Sequence, residues 1–327
     1  MHPVLSLISQ RTAAGSRPAG RADQQRLALV VEGGGMRGVV SCAMTAAIEE
    51  LGLLDAFDLV VGTSAGALNG AALLSGTARG CTEEYADGFT ARAFINPARL
   101  LLGRPVVNVD YVLDFSSRRL DAERHARAVA SAVELHCVAT DADSCTPYDL
   151  TGFADPAEQR AALLASSRLP WIGGEPVNFR GRRWLDGGLC EPVPLPTALA
   201  AGATHALVLL TRPRGGRMHA GNGAGSVGHR MVERRLRELN PSLVTVYRRR
   251  DAVHAGVTAQ VLAATDAPGP RPPHVMGIAV PPGSPLPSRL DRDAARLRAA
   301  ATLAHRAAVE ALAPAVTRPS GAGRRAP

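Results

Sequence analysis

The residues with the clearest capacity for chemistry are Ser64 and the glycines that flank it, Gly62 and Gly66, which form a G-x-S-x-G motif. An apolar run over residues 59–61 precedes the motif, and a run of small residues over 65–74 follows it. This order predicts a strand, a turn too tight for bulky neighbours, and a buried helix. The turn would place the serine hydroxyl above the helix N-terminus, where free N–H groups favour a developing oxyanion. The pattern therefore predicts a nucleophilic serine.

A second motif is the glycine-rich loop over residues 33–38, which follows an apolar strand predicted at 26–31. Its three successive glycines fit neither the dinucleotide-binding G-x-G-x-x-G loop nor the Walker loop, although a phosphate cradle is an open alternative. Because a serine elbow follows on the next strand, an oxyanion hole is favoured, in which backbone N–H groups point into one concave site. The loop consists of Gly33, Gly34, Gly35, Met36, Arg37 and Gly38.

The third motif, Asp186-Gly187-Gly188, follows a hairpin predicted over residues 176–185 and would by itself be typical of a turn. With all three motifs in this order, the chain resembles the patatin-like phospholipase family, and its bacterial branch in particular, over about residues 26–282. The similarity extends to residues 165–170 ahead of the aspartate motif and 191–195 behind it. The resemblance implies an α/β fold, a three-layer α/β/α sandwich with a mostly parallel central sheet.

The resemblance also implies a role for each motif. Ser64 matches the nucleophile and Asp186, beside Gly187 and Gly188, matches the base of a Ser/Asp dyad. Arg37 matches the basic position of the loop, where it would steer anionic head groups or tie down the loop. No metal or cofactor is implied. The oxyanion hole falls on the amides of Gly33, Gly34, Gly35 and Met36, with Arg37 and Gly38 as supporting residues.

The dyad chemistry is consistent on its own terms, because a serine hydroxyl needs a base within hydrogen-bond reach. A free aspartate, with a pKa of about 3.9, is a weak base, and partial burial beside an apolar pocket would raise that pKa. A histidine base is the rival hypothesis, although no histidine lies in a loop that the motifs select. Glu32, just before the glycine loop, is interpreted as a strand-end carboxylate that bonds nearby amides. The histidines weighed for the base are His136, His205, His254 and His274.

Composition narrows the class of protein. The 327 residues carry a formal charge of +8, all of the basic residues are arginine, and no basic–aromatic interleaving indicates nucleic-acid binding. The charge is typical of a compositional bias toward arginine or of weak attraction to anionic lipid surfaces. Five scattered cysteines, without a C-x-x-C pair, indicate a reducing compartment and no zinc site. No apolar stretch reaches the ~18 residues of a membrane span. We therefore expect a cytoplasmic protein, with at most transient contact with a membrane surface and an oligomeric state that the sequence does not define.

The alternation of strands and helices predicts a parallel α/β unit with right-handed crossovers. Residues 1–25 are predicted to be a mobile leader, residues 26–313 a single hydrolase domain, and residues 314–327 a disordered tail. Residues 77–125 are interpreted as the wall or cap of an acyl pocket, or else as a peripheral packing insertion. A last helix is predicted over residues 289–312.

These features together predict a lipolytic serine acyl hydrolase that acts on phospholipid or lysophospholipid through an acyl-enzyme. An acyltransferase, or an esterase on small soluble esters, would use the same dyad and is the alternative. A non-catalytic protein that binds phosphate or nucleotide through the glycine loop is a more remote alternative.

Overall fold

The computed structural model describes residues 1–96, 98–99, 105–113, 122–169, 174–215 and 227–316. The strands are β1 (Leu27–Val31), β2 (Leu59–Thr63), β3 (Glu134–Asp141), β4 (Pro147–Leu150), β5 (Val177–Phe179), β6 (Arg182–Asp186), β7 (His205–Leu209) and β8 (His274–Ile278). The helices are α1 (Pro3–Ala13), α2 (Val39–Glu50), α3 (Ala65–Leu74), α4 (Ala78–Asp87), α5 (Ala122–Val129), α6 (Pro156–Ser167), α7 (Leu195–Ala200), α8 (Val227–Leu239), α9 (Ser242–Asp266) and α10 (Ala294–Val316).

One mixed sheet forms the centre of the described chain, with strand order β5-β6-β3-β2-β1-β7-β8 and β4 paired beside β3. The strands from β3 to β8 in this order run parallel, and β4, β5 and β6 make the antiparallel edge. Strands β1, β2 and β7 are fully buried, which explains their continuous apolar sequences. The predicted mostly parallel α/β sheet is confirmed.

Helices cover both faces of the sheet and complete the three layers. Because side chains alternate along a strand, Leu29 and Val31 of β1 join the core beneath α1, α2, α4 and α10. Ala28 and Val30 face the opposite core, beneath α7 and α9. None of the helices in the described part of the chain is both long and apolar enough to cross a bilayer.

The first residues differ from the expected mobile leader. Residues 3–13 form α1, and its Val4 and Ile8 are completely buried against the core. Arg11 is also buried, because its guanidinium donates to Asp23 and Asp58 at 2.7 Å each and to the carbonyl oxygen of Ala56. The prediction of an unstructured leader is therefore wrong for this helix.

The end of the chain differs by a few residues from its prediction. Helix α10 continues to Val316 and buries Ala315, so the helix passes the predicted start of the tail at residue 314. Residues 317–327 lie outside the described residues. The helix also begins at Ala294 rather than at residue 289, because Asp293 accepts hydrogen bonds from the amides of its first turn. Arg289 consequently belongs to the loop before α10.

Candidate active site

Ser64 lies on a strained turn between β2 and α3. Its backbone has φ 56° and ψ −126°, a conformation that residues with a side chain rarely adopt. The two glycines of the motif permit the close packing of this turn. A Cβ at Gly66 would lie 2.2 Å from the carbonyl oxygen of Val31, and one at Gly62 would lie 2.5 Å from the amide of Ala67. The predicted elbow is therefore present as a backbone geometry.

The structure brings Ser64 and Asp186 into direct contact. Ser64 Oγ donates a hydrogen bond of 2.7 Å to Asp186 Oδ2, across 122 residues of sequence. The sheet register explains the contact, since Thr63 pairs with Val138 on β3 and the next residue of β3, Ala139, pairs with Asp186. Ser64 and Asp186 therefore lie at the ends of β2 and β6, the two strands that flank β3, and at nearly the same position along β3.

The carboxylate is held in a defined orientation by the turn that follows it. The amide of Gly188 donates to Asp186 Oδ1 at 2.7 Å, which leaves Oδ2 for the serine. A Cβ at Gly187 would lie 2.1 Å from the carbonyl oxygen of Val138, so this turn also depends on close backbone approach. The two glycines therefore position the aspartate, beyond forming a simple turn.

The environment of Asp186 changes the pKa of its carboxyl group. Burial raises the pKa of Asp186, and the hydrogen bonds from Ser64 and Gly188 oppose that rise. The positive charges of Arg289 and Arg250 oppose it further. A carboxylate with a raised pKa attracts a proton more strongly than a free aspartate does, as proton abstraction from a hydroxyl requires.

Ser166 contributes to the site in a way that the sequence did not reveal. Its fully buried Oγ accepts a hydrogen bond of 2.9 Å from the Ser64 amide and donates one of 2.6 Å to the carbonyl oxygen of Val138. Ser166 lies near the end of α6, so this helix is tied to the strained turn. Its presence in a segment shared with the family, residues 165–170, was the available signal.

The glycine loop lies directly beside the elbow. A Cβ at Gly33 would be 3.1 Å from the Cβ of Ser64, and the amides of Gly34 and Gly35 donate to no residue that the structure describes. The amide of Met36 differs, because it donates to the carbonyl oxygen of Arg289 at 3.0 Å. The loop therefore offers glycine amides to the site, while the Met36 amide is already paired.

Gly38 and Arg37 support the loop from behind. A Cβ at Gly38 would lie 2.7 Å from the hydroxyl of Tyr85, so α4 packs closely on the loop. Arg37 Nε donates to Thr211 Oγ1 at 3.2 Å, and its guanidinium lies 4.0 Å from buried Glu32. The loop is thereby joined to the end of the neighbouring strand β7.

Glu32 anchors this corner of the site. One carboxylate oxygen accepts from the Thr211 amide at 2.6 Å, and the other contacts His254 Nε2 at 2.9 Å. Burial alone would raise the pKa of Glu32, but the hydrogen bond and charge of His254, then Arg37 and the Thr211 amide, lower it to about 2. Glu32 is thus an ionised structural carboxylate, bonded to a nearby amide as the sequence suggested.

The histidines weighed as alternative bases lie elsewhere. His254 is bound to Glu32, and His136 contacts Asp149 and Glu134. The ring centroids of His205 on β7 and His274 on β8 lie 5.0 Å apart, with the two rings tilted by 48°. Among the described residues, the hydrogen-bond partner of the Ser64 hydroxyl is a carboxylate rather than an imidazole. In that same part of the chain, no three His, Cys, Asp or Glu side chains are grouped to hold a metal ion.

A large cavity of about 1130 Å³ opens at the dyad. This volume exceeds the ~300–1,000 Å³ of most small-molecule pockets. Much of its wall comes from described residues of the segment 77–125, which was interpreted as a pocket wall or a packing insertion, together with one side of α3. Its apolar lining includes Leu68, Tyr85, Phe89, Phe94, Ile95, Val106, Val112, Leu113 and Leu163.

The strained serine turn and the buried carboxylate lie on the two strands that flank β3 of the α/β sheet. The chain belongs to the patatin-like phospholipase family, whose family model matches residues 29–199. The chain is also 30% identical over 197 residues to the uncharacterized protein YjjU of Escherichia coli strain K12. That match covers 58% of this chain and 52% of the relative, so the chain spans about half the relative's length.

Proposed function

We propose that this protein is a serine acyl hydrolase that cleaves carboxylic esters of lipids with a Ser64–Asp186 dyad. The observation that carries the proposal is the 2.7 Å hydrogen bond from Ser64 Oγ to Asp186 Oδ2 at the mouth of a large apolar cavity. The size and apolar lining of the cavity favour a long acyl chain over a small soluble ester. Phospholipids and lysophospholipids are the substrates that fit this description within the family.

In the first half of the proposed reaction, Asp186 accepts the hydroxyl proton while Ser64 Oγ bonds to the ester carbonyl carbon. The carbonyl oxygen becomes an oxyanion, which the amides of Gly33, Gly34 and Gly35 stabilise. A donor in comparable sites contributes roughly 3 kcal/mol to the transition state. The bond to the alcohol oxygen then breaks, and the alcohol leaves with the proton that Asp186 held. The product of this half is an acyl ester on Ser64.

In the second half, Asp186 accepts a proton from a water molecule while that water attacks the acyl carbonyl carbon. The same glycine amides stabilise the second oxyanion. The bond to Ser64 Oγ breaks, the proton returns from Asp186 to the serine, and a fatty acid is released. One water is consumed for each ester cleaved, and the enzyme returns to its starting state.

The experiment that tests the proposal combines covalent labelling with turnover. Wild type, Ser64→Ala and Asp186→Asn are exposed to a fluorophosphonate probe, and fatty-acid release from phospholipid vesicles is measured without calcium. Asp87→Asn is the matched control, since Asp87 is exposed and pairs with Arg298 on the surface. We expect labelling and release to require Ser64, to collapse in Asp186→Asn, and to persist in the control.

Each contrary result has its own meaning. Labelling of Ser64→Ala would place the nucleophile elsewhere, and full activity of Asp186→Asn would remove the dyad. Labelling of wild type without fatty-acid release from any lipid would keep the serine chemistry and reject the substrate class. Nucleotide binding that survives in Ser64→Ala, with no labelling of wild type, would favour the phosphate-binding alternative for the glycine loop.

A further inference from the structure

The cavity that holds Ser64 and Asp186 is also lined by four arginines that the proposed reaction does not use. The four come from separate segments: the glycine loop, the segment after β7, helix α9, and the loop before α10. Their convergence is therefore a property of the fold and not of a local run of basic residues. This arginine cluster consists of Arg37, Arg212, Arg250 and Arg289.

The arginine cluster is poorly supplied with counter-charges. The side chains of Arg212 and Arg289 make no hydrogen bond or ion pair with the described residues, and the Nε atom of Arg212 is buried without an acceptor. Arg250 approaches Asp251 at 3.3 Å and lies over the Tyr247 ring. Unpaired guanidinium groups withdrawn from water are costly, because a buried donor loses its hydration without a replacement.

The arginines also repel one another. Burial, followed by the positive charges of Arg250, Arg37 and Arg212 in that order of effect, lowers the pKa of Arg289 to about 10, and the charge of Asp251 opposes this change. Burial likewise lowers the pKa of Arg37, and the positive charges of Arg212 and Arg250 also lower it. Repulsion among these cations is unfavourable for the fold, so an anionic ligand is the simplest reason for their convergence.

The carboxylates that face the arginine cluster do not satisfy it. Glu32 is 4.0 Å from Arg37 and is already bound by His254 and the Thr211 amide. Asp251 forms an ion pair with Arg250, and Asp186 accepts hydrogen bonds from the Ser64 hydroxyl and the Gly188 amide. His229 also lines this cavity. The space beside these residues therefore keeps an excess of positive charge.

The cluster also lies within electrostatic reach of the reaction centre. Arg289 and Arg250 favour the charged form of Asp186, so an anion bound by them would lie beside the dyad. The carbonyl oxygen of Arg289 accepts from the Met36 amide, which fixes the Arg289 backbone against the glycine loop.

We propose that the arginine cluster is the subsite for the phosphodiester group of a phospholipid substrate. The inference rests on the proposed function and deepens it, because the acyl chain would occupy the apolar cavity while the phosphate lies at the arginine end. Guanidinium groups bind phosphate oxygens through paired, charge-assisted hydrogen bonds, and their fixed planar geometry orients the bound group. The cluster would thereby select phospholipids over neutral glycerides and place the ester on Ser64.

The test compares two lipids with the same acyl chains, phosphatidylcholine and diacylglycerol, in neutral detergent micelles without calcium. The readout is the ratio of kcat/KM for the phospholipid to kcat/KM for the neutral lipid. We expect Arg212→Gln and Arg289→Gln each to lower this ratio at least about tenfold, chiefly through KM. Arg306→Gln on α10 is the matched control for lost charge, since Arg306 is 72% exposed and far from the cavity lining. An unchanged ratio in both cluster variants would overturn the proposal.

A stability measurement separates recognition from a structural role. Because Arg212 and Arg289 have no partner among the described side chains and repel their neighbours, each glutamine variant should keep or raise the thermal midpoint. A midpoint lowered by several degrees in both variants would show that the fold needs these cations and would contradict the inference.

Binding without turnover distinguishes this inference from the proposed function. Glycerophosphocholine and inorganic phosphate are titrated calorimetrically into Ser64→Ala and into Ser64→Ala combined with Arg212→Gln. We expect glycerophosphocholine to bind more tightly, and the second variant to lose at least about tenfold in affinity. Tighter binding of inorganic phosphate would instead assign the cluster to free phosphate. Cluster-dependent binding in a protein that hydrolyses no lipid would overturn the proposed function and keep the phosphodiester subsite.

Discussion

The Ser166→Ala variant tests whether the strained turn at Ser64 is held from outside the turn. The Ser166 hydroxyl is fully buried and accepts from the Ser64 amide at 2.9 Å. Its removal leaves that amide without an acceptor, which costs about 1–3 kcal/mol. Because the amide belongs to a residue with φ 56°, the cost falls on the reactive conformation of Ser64. We expect kcat to fall about 10- to 100-fold, with KM changed by less than about twofold.

The assay measures kcat and KM for a soluble nitrophenyl ester, the rate of fluorophosphonate labelling, and the free energy of unfolding in urea. Ser167→Ala is the matched control, because it removes the next hydroxyl on the same helix. The Oγ of Ser167 is buried but has no hydrogen-bond partner in the described structure. Its loss should change the free energy of unfolding by less than about 0.5 kcal/mol.

Three results would refute this reasoning. A stably folded Ser166→Ala protein with wild-type kcat would show that the turn keeps its geometry without the hydrogen bond. Equal losses of kcat in Ser166→Ala and Ser167→Ala would show that the end of α6 matters for packing rather than through the contact to Ser64. A fall in the free energy of unfolding with no change in labelling rate would likewise make Ser166 a structural residue only.

The remaining predictions concern acidity and packing. Burial raises the pKa of Asp186, so kcat/KM should fall as the pH drops through a value above the pKa of a free aspartate. The Arg289→Gln variant loses a positive charge that favours the ionised carboxylate, so its pH–rate profile should show this fall at a higher pH. Ile8→Ala should cost about 2–5 kcal/mol in urea unfolding, because Ile8 is completely buried; a cost below about 0.5 kcal/mol would mean that α1 does not belong to the folded core. Burial, and then the charge of His274, lower the pKa of His205 from 6.5 to about 4. Because the unfolded chain therefore binds this proton more readily than the folded protein does, the free energy of unfolding should fall as the pH drops from about 6.5 to 4. The His205→Gln variant should show a shallower fall in thermal midpoint over that range.

Much of the sheet could be predicted because its signals are local. The strand predicted over residues 26–31 is β1, Leu27–Val31, and the buried helix predicted over residues 65–74 is α3, Ala65–Leu74. Continuous apolar strands and small-residue helices carry their own pattern, whatever they pack against. The contact of Ser64 with Asp186 is different, since it depends on the register of β2, β3 and β6, and only the family resemblance suggested it.

Other parts of the site were beyond the sequence because they depend on distant partners. The Ser64 amide is bound by Ser166, 102 residues away, and Glu32 meets His254, 222 residues away. Helix α1 was missed for a related reason. Its Arg11 is typical of an exposed segment, and the sequence does not reveal the carboxylate partners that allow this arginine to be buried. Arg289 was expected in a helix and instead lies in a loop that contacts the glycine loop.

The distance of Ser64 from Asp186 along the chain has a consequence for protein synthesis. Asp186 lies 122 residues after Ser64, on a strand that pairs only with β3 and β5 within the described sheet. Under the proposed dyad, a nascent chain that ends between these two residues would carry the serine without its base. Ester cleavage would then begin only after the antiparallel edge of the sheet had formed.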